Sequence, residues 1–584
     1  MNRNKLPVVR AGGDWAAVLG HRLGHHSTDL AHHAAEQTRQ RLRLALVAFV
    51  AVFCVLTARL TYLTMIGEGP SFSISASATD AQTRPIITDR HGVVLATQIT
   101  TTTLGANPRE ITDATRVVGQ LKDILPDLAE ARATRLLSGN SAYVKLASRL
   151  TPDQRMAILN LGNPALKLRN QPSRVYPTSK VASHIVGFTS SDMRGLLGLE
   201  LLIDQLDDEA PYAPRNEVFE TSLDIRVQHA VRDELYAAMV KHKASKAAAM
   251  VMDAHNGEII ASVSLPDFDA NRPMADGNEG HFNMVTQGVY ELGSIFKIFT
   301  AAMAIDGGYV EADELFDVDE VLKIGGNEIS DDHPQEGPLS VDGIVTYSSN
   351  IGSAKLALRV PDEEHFAFMQ KLGLTDPVDF SFPARQTPIA PSRWTDIERA
   401  TASYGHGIAV TPLHALVAGA AMMNGGVLYP PSLQKVSMPV GQRVISGETS
   451  ARLRRMLRNV VELGTGKSAE VKGYGVLGKT GSADKPNNGS YDENALTTSF
   501  IGGFPAASPR YVTFVMFDEP AAIESSFGYA TAGWNAAPTT RDIVKRIAPI
   551  LGVLPKNEQV KEAFINRSPA KLLAAETQGG SYAP

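Results

Sequence analysis

The apolar positions of this chain fall into three patterns, and each predicts a different kind of element. The first is unbroken. Residues 44–58 (LALVAFVAVFCVLTA) carry no charge, and apolar character resumes past Arg59 through Leu60, Tyr62, Leu63, Met65 and Ile66. With Arg59 snorkelling near an interface, residues 44–66 reach the ~20 residues that span a bilayer as one helix. Arg39, Arg41 and Arg43 crowd its N-terminal edge, and no lysine or arginine lies between Leu60 and Thr83. That asymmetry predicts a cytoplasmic tail, residues 1–43, with everything after residue 66 outside the membrane. The long basic region disfavours a cleaved signal peptide, although small residues occur from Ser75 to Ser77.

The second pattern alternates short β-like runs with turns from Arg84 to Pro214, with a helical segment around residues 114–137. It contains no catalytic cluster. With its polar lead-in it is read as a non-catalytic module, residues 67–215. The third pattern begins near residue 216. Residues 247–253 (AAAMVMD) and 258–263 (EIIASV) flank His255-Asn256-Gly257, a strong hairpin signal. A long helical middle follows, and strand-like runs return at 476–482, 498–504 and 511–517. Two strands before a helical insertion and three after it predict one sheet assembled from both ends, with helices packed on it. This domain spans residues 216–555, and an Ala- and Gly-rich tail, 556–584, follows.

Composition narrows the picture. With 43% hydrophobic residues the 584-residue chain has ample material for several cores. A formal net charge of −6 carries no polybasic signature, which excludes nucleic acid as the expected partner. The one cysteine, Cys54, allows neither an internal disulfide nor a cysteine-based zinc site. Histidines at 21, 25, 26, 32 and 33 are read as part of a solvated tail, so no metal and no cofactor is expected.

Candidate chemistry lies in three ordered motifs: Ser294-Ile295-Phe296-Lys297, Ser348-Ser349-Asn350 and Lys479-Thr480-Gly481-Ser482. They offer a serine nucleophile, groups able to move its proton, and a cationic edge for a carboxylate, a set suited to acyl transfer. Ser294 opens a helical segment, so its hydroxyl meets the positive end of a dipole, and Lys297 shares its face. Lysine acts as a base only when its pKa falls, and the neighbouring Phe296 and Phe299 predict partial burial. Glycines near Lys479 let a substrate backbone approach the strand. Ser-x-x-Lys also occurs at Ser432/Lys435, Ser482/Lys485 and Ser568/Lys571, and Ser-x-Asn at Ser138/Asn140, so order and surroundings must select among them.

In this order the motifs resemble those of the penicillin-recognising serine transpeptidases. Their flanks resemble the class B penicillin-binding proteins: residues 283–299 (NMVTQGVYELGSIFKIF), 347–355 (YSSNIGSAK), 403–413 (SYGHGIAVTPL), 478–482 (GKTGS) and 499–509 (SFIGGFPAASP). Upstream, residues 84–96 (RPIITDRHGVVLA), 174–177 (RVYP) and 198–200 (GLE) look like the pedestal module of that class. Residues 223–228 look like the start of its transpeptidase domain. The resemblance implies an α+β penicillin-binding/transpeptidase fold: an antiparallel sheet of about five strands flanked by helices, with a helical subdomain. An elongated pedestal of the dimerisation type and a single N-terminal transmembrane helix would precede it. Asn350-Ile351-Gly352 is more similar to the division enzyme than to the elongation enzyme, whose third motif residue is typically Asp. The segment before the pedestal is too short for a glycosyltransferase domain. Two departures stand out: Leu292 where the family commonly has proline, which relaxes the turn, and Ser482 where it usually has threonine.

By resemblance, Ser294 attacks the carbonyl between two D-alanines of a peptidoglycan stem peptide, lipid-linked or in nascent glycan, with Lys297 as general base. Ser348 relays a proton to the leaving group and Asn350 holds Lys297. Lys479 maintains a positive field, and Thr480, Gly481 and Ser482 bind the substrate. Backbone N–H groups of Ser294 and Ser482 form the oxyanion hole. A neighbouring stem's amine then resolves the ester, and β-lactams stall it. The implied setting is the inner membrane, single-pass, with a periplasmic catalytic domain. Implied partners are a membrane-embedded glycan polymerase and other division proteins. Alternatives are an elongation-specific transpeptidase, or a D,D-carboxypeptidase or β-lactam-binding sensor that makes no cross-links.

Overall fold

The computed structural model describes residue 44 and residues 46–57, 84–209, 217–275, 277, 279–311, 313–487 and 490–555. The first of the chain's two units covers residues 1–82. Its described part is helical over residues 46–57, with Leu46, Val47, Phe49, Val50, Phe53 and Leu56 exposed. Among the described residues no helix is long and apolar enough to cross a membrane. Residues 58–66 of the expected span, and the tails 1–43 and 556–584, lie outside the described residues.

The segment expected to be a non-catalytic module is built on one long strand, Val94–Ala106. Val144–Leu150 and Leu166–Val175 both pair with it antiparallel. Ile86–Thr88 joins it antiparallel and in turn pairs in parallel with Val218–Glu220. Helices Ala114–Ile124, Glu130–Leu137 and Pro152–Asn160 cover the sheet, burying Val117, Val118, Leu121, Leu137 and Ile158 against Leu104 and Val144. Each helix start is legible in its residues where a cap exists. The Asp113 side chain accepts from the Arg116 N–H, and Thr151 and Gln154 form a reciprocal capping box ahead of Pro152.

Three of the quoted upstream fragments converge here on one buried ion cluster. Arg84 Nε lies 2.8 Å from Glu200 Oε2, and Arg174 Nε lies 2.7 Å from Glu200 Oε1. Glu200 is fully buried, and Arg84 also donates to Asp204 and, at 2.7 Å, to the Met193 carbonyl. The cluster joins the chain's approach to the sheet, the end of strand Leu166–Val175 and helix Gly198–Glu209. Breaking one partner of such a group leaves an uncompensated buried charge. Asp89, also fully buried, accepts from the His91 and Val93 N–H groups at 2.8 Å and from the Ile225 N–H at 3.1 Å. It therefore ties this module to the first helix of the next domain, Ile225–Lys241.

That domain centres on a five-stranded antiparallel sheet, ordered Leu477–Asn487, Ser490–Phe504, Tyr511–Asp518, Lys246–Asp253, Ile259–Leu265. The sheet is assembled from both ends of the domain, as the hydrophobic runs predict. Both of its faces are buried, which explains why its strands read as continuous apolar runs rather than alternating ones. On one face Ala249, Val251, Val515 and Phe517 pack against Val227, Val231 and Leu235 of the first helix and Ile543, Val544 and Ile547 of the last, Ala536–Ile550. On the other, Met250, Met252, Phe514 and Met516 meet the helical insertion. The insertion's central helices, Phe296–Asp306 and Pro412–Met423, are buried almost all round. Strand Leu477–Asn487 is left at the sheet edge, beside the start of Phe296–Asp306.

Candidate active site

The three motifs come from three separate elements. Gly293–Ile295 forms a single 3-10 turn leading into helix Phe296–Asp306, so Ser294 stands on the approach to that helix rather than within it. Ser348 ends helix Val341–Tyr347, and Asn350 begins helix Asn350–Arg359. Lys479 to Ser482 lie on the edge strand.

Their side chains meet at one nitrogen. Lys297 Nζ lies 2.8 Å from Ser294 Oγ, 2.6 Å from the Ser348 carbonyl oxygen, 3.1 Å from Ser348 Oγ and 2.7 Å from Asn350 Oδ1. The Ser348 carbonyl and Asn350 Oδ1 can only accept. They take up the two N–H bonds of a neutral amine, which leaves its lone pair for the Ser294 hydroxyl proton. Asn350 is oriented in turn by its Nδ2, which donates to the Ser330 carbonyl at 3.0 Å.

Burial sets the protonation. Lys297 is 1% exposed, and desolvation lowers its pKa to about 7, against an opposing pull from Asp331 and Asp332. The partial burial expected from Phe296 and Phe299 is therefore nearly complete, because the whole first turn of that helix lies inside the core. Lys479, fully buried, has its pKa lowered by desolvation and by the charge of Lys297. Its Nζ donates to Ser348 Oγ at 3.0 Å and to the Thr480 carbonyl at 3.1 Å. Ser348 thus bridges two amines, an arrangement able to pass a proton. It does so with φ at 67°, in the left-handed region, at a typical cost of about 1–3 kcal/mol for a non-glycine residue.

The edge strand and the turn bearing Ser294 touch through glycines. A Cβ on Gly293, whose φ is +55°, would fall 2.3 Å from the Ser482 carbonyl oxygen. A Cβ on Gly481 would fall 2.2 Å from the Leu292 carbonyl oxygen. Thr480 Oγ1 lies 2.6 Å from Thr465 Oγ1. Ser482 Oγ accepts from the Ala532 N–H at 3.1 Å, which leaves the Ser482 hydroxyl proton to donate. Beside Ala532 an aromatic group, Phe527, Tyr529 and Trp534, stands exposed at the rim, with the last two rings stacked 5.7 Å apart.

In the other described Ser-x-x-Lys pairs the lysine is engaged elsewhere. Ser432 Oγ donates to the Gln434 carbonyl while Lys435 pairs with Glu220, and Lys485 pairs with Asp518 and Glu519. Ser568 and Lys571 lie outside the described residues. Sequence reasoning did not single out Asp331, Thr465 or Ala532. Only Thr465, flanked by Gly464 and Gly466, carries a local signal, since paired glycines mark a close backbone approach.

Leu292 revises one expectation. Its φ of −101° falls outside the range a proline ring allows, and its side chain is 1% exposed within the main core. The preceding Glu291 accepts from the Gly407 N–H and the Tyr491 hydroxyl, each at 3.1 Å. Packing and hydrogen bonds thus hold the turn where a proline would otherwise stiffen it. Leu292→Ala is expected to cost about 2–5 kcal/mol, read as a lower urea midpoint for loss of the catalytic domain's structure. An unchanged midpoint would show that the side chain contributes nothing.

The chain matches the family of the penicillin binding protein transpeptidase domain over residues 247–545, and the penicillin-binding protein dimerisation domain over residues 79–205. It is 34% identical to the probable peptidoglycan D,D-transpeptidase FtsI of Caulobacter vibrioides, over 90% of this chain and 93% of that protein. It is 30% identical to stage V sporulation protein D of Bacillus subtilis, over 90% of this chain and 88% of that protein. Identity to the peptidoglycan D,D-transpeptidase FtsI of Escherichia coli is 28%, over 78% of this chain and 82% of that protein.

Proposed function

From the premise that the chain belongs to the class B penicillin-binding proteins and is a serine-type D-Ala-D-Ala transpeptidase, we propose that it cross-links septal peptidoglycan through an acyl-enzyme on Ser294. The supporting observation is the set of four oxygens around Lys297 Nζ, which suits a neutral amine accepting the Ser294 proton. Ser294 Oγ attacks the carbonyl between the two terminal D-alanines, and its proton passes to Lys297. The tetrahedral oxyanion is held by the N–H groups of Ser294 and Ser482. Collapse breaks the C–N bond, and the departing D-alanine nitrogen takes a proton through Ser348, which Lys297 and Lys479 flank. Thr480 and Ser482 hold the terminal carboxylate, helped by the positive field of Lys479, and Gly481 lets the substrate-binding strand lie close against the turn that bears Ser294. The amine of a second stem then attacks the ester, forming the cross-link and freeing Ser294. A β-lactam enters by the same first step and stays on the serine.

The septal role rests on the resemblance of Asn350-Ile351-Gly352 to division enzymes. In the same reading residues 44–66 anchor the chain in the inner membrane with the catalytic domain outside. That span and residues 67–215 would meet a membrane-embedded glycan polymerase and other division proteins. Labelling with a fluorescent penicillin, followed by peptide mapping, tests the chemistry: the adduct should sit on the peptide holding Ser294, and an adduct elsewhere refutes the assignment. Purified enzyme with lipid-linked substrate should release D-alanine in step with cross-links, whereas release without cross-links would mark a carboxypeptidase. Depletion should give filamentous cells. Rounded cells would place the enzyme in elongation instead.

A further inference from the structure

The mechanism above leaves the middle residue of the second motif without a part, and Ser349 leads to an aspartate outside all three motifs. Ser349 is the N-cap of helix Asn350–Arg359. Its Oγ accepts from the Gly352 N–H at 2.9 Å and donates to Asp331 Oδ2 at 2.6 Å. The second oxygen of Asp331 accepts from the Ile351 N–H at 2.9 Å. The neighbouring Ser330 carbonyl takes the Asn350 side chain, as described above. Ser349 and the first two residues of helix Asn350–Arg359 are thus held by two residues just past strand Asn327–Ile329. A carboxylate at this place also meets the positive end of the helix.

We propose that Asp331 is a positioning residue, which clamps the second motif in its working geometry and supplies negative charge against the buried Lys297. This rests on the reading of Ser294 as nucleophile and Lys297 as base. Ser348 is held with φ at 67°, and both of its oxygens depend on that conformation to reach Lys297. The contacts on its far side are Ser349 and Asn350, and both are tied to the Ser330–Asp331 segment. The bidentate carboxylate therefore counters the tendency of Ser348 to relax. The charged groups facing Lys297 are Lys479 on the edge strand and Asp331 and Asp332 on this segment. Asp332 also faces Tyr404 from the opposite turn. The negative pair favours the protonated form of Lys297, so losing one member favours the free amine.

The test uses the full chain and a fluorescent penicillin, with the second-order acylation rate measured from pH 5 to 9. In Asp331→Asn the carboxamide keeps one acceptor but loses the charge. Its plateau rate should fall about 10-fold or more, as expected for a misplaced reacting group. Its acid limb should move to lower pH. Ser349→Ala keeps the charge, so its plateau should fall with the limb in place, and Asp331→Glu should restore the limb better than the plateau. A wild-type plateau in Asp331→Asn, or a lowered plateau with an unmoved limb, overturns the proposal. If Asp331→Asn does not fold, a wild-type plateau in Ser349→Ala overturns it alone. Failure of the underlying reading would appear separately, as wild-type label mapping away from Ser294.

Discussion

Ser294→Ala and Lys297→Met are each expected to reduce β-lactam acylation at least ~10⁴-fold, and the double variant should be little worse than the poorer single, because groups acting as a unit are not additive. The serine variant has no nucleophile. The methionine variant keeps an unbranched apolar stem in a site that is 1% exposed, but removes the amine. No other described base is hydrogen-bonded to Ser294 Oγ, and the nearby Lys479 is committed to Ser348 and to the Thr480 carbonyl. In wild type the rate should climb as pH rises through about 7, where Lys297 passes from ammonium to free amine. Neither limb nor rate should survive in Lys297→Met. Its thermal midpoint should change little, because relief of the desolvated amine offsets the loss of partners for the Ser348 carbonyl and Asn350 Oδ1. Stopped-flow labelling decides the matter: a methionine variant acylating within tenfold of wild type would remove Lys297 from the role of base.

Gly293→Ala should be nearly as damaging to activity while sparing the fold. A left-handed backbone costs a non-glycine residue about 1–2 kcal/mol, which a core of this size tolerates. The added methyl has nowhere to go, since it would lie 2.3 Å from the Ser482 carbonyl oxygen and only backbone lies in its path. The turn carrying Ser294 must therefore part from the edge strand that supplies half of the proposed oxyanion hole. Displacements of an ångström at a reacting centre cost about 100-fold. Gly481→Ala attacks the same contact from the opposite side, against the Leu292 carbonyl oxygen 2.2 Å away. The two should give similar losses in acylation with thermal midpoints close to wild type. Full activity in either would show that the turn and the strand do not need this approach.

The sheet was legible because its strands are buried on both faces and announce themselves as apolar runs, with Asn256-Gly257 marking the connection between the first two of them. The long strand Val94–Ala106 was not, because its run of threonines offers no apolar alternation. Ser294, Lys297, Ser348, Asn350 and Lys479 stood out through motif order, and the structure brings their side chains together. Asp331 did not stand out, as its importance lies in two hydrogen bonds made across the fold to Ser349 and Ile351, and nothing adjacent in sequence signals them. The depth of Lys297 was also hidden. Helix Phe296–Asp306 is buried on nearly every side, so it has no polar stripe from which a reader could judge how far inside the lysine sits.

The sheet's assembly from distant parts of the chain has a consequence for biogenesis. Ser245 and Asp518, hydrogen-bonded at the end of adjoining strands, lie 273 residues apart in sequence. Hairpin Lys246–Leu265 therefore leaves the ribosome, and in the proposed topology the translocation channel, long before the strand that completes it. Until Tyr511–Asp518 arrives, strand Lys246–Asp253 presents an open apolar edge, the kind that templates association with other chains. Pairings of such sequence separation form slowly. The insertion carrying Ser294 and Ser348 is thus made while its platform is still half built, and acylation competence can begin only when nearly the whole chain has emerged. A chain ending just before residue 511 would keep all three motifs, yet lack the central strand that joins the two halves of the sheet.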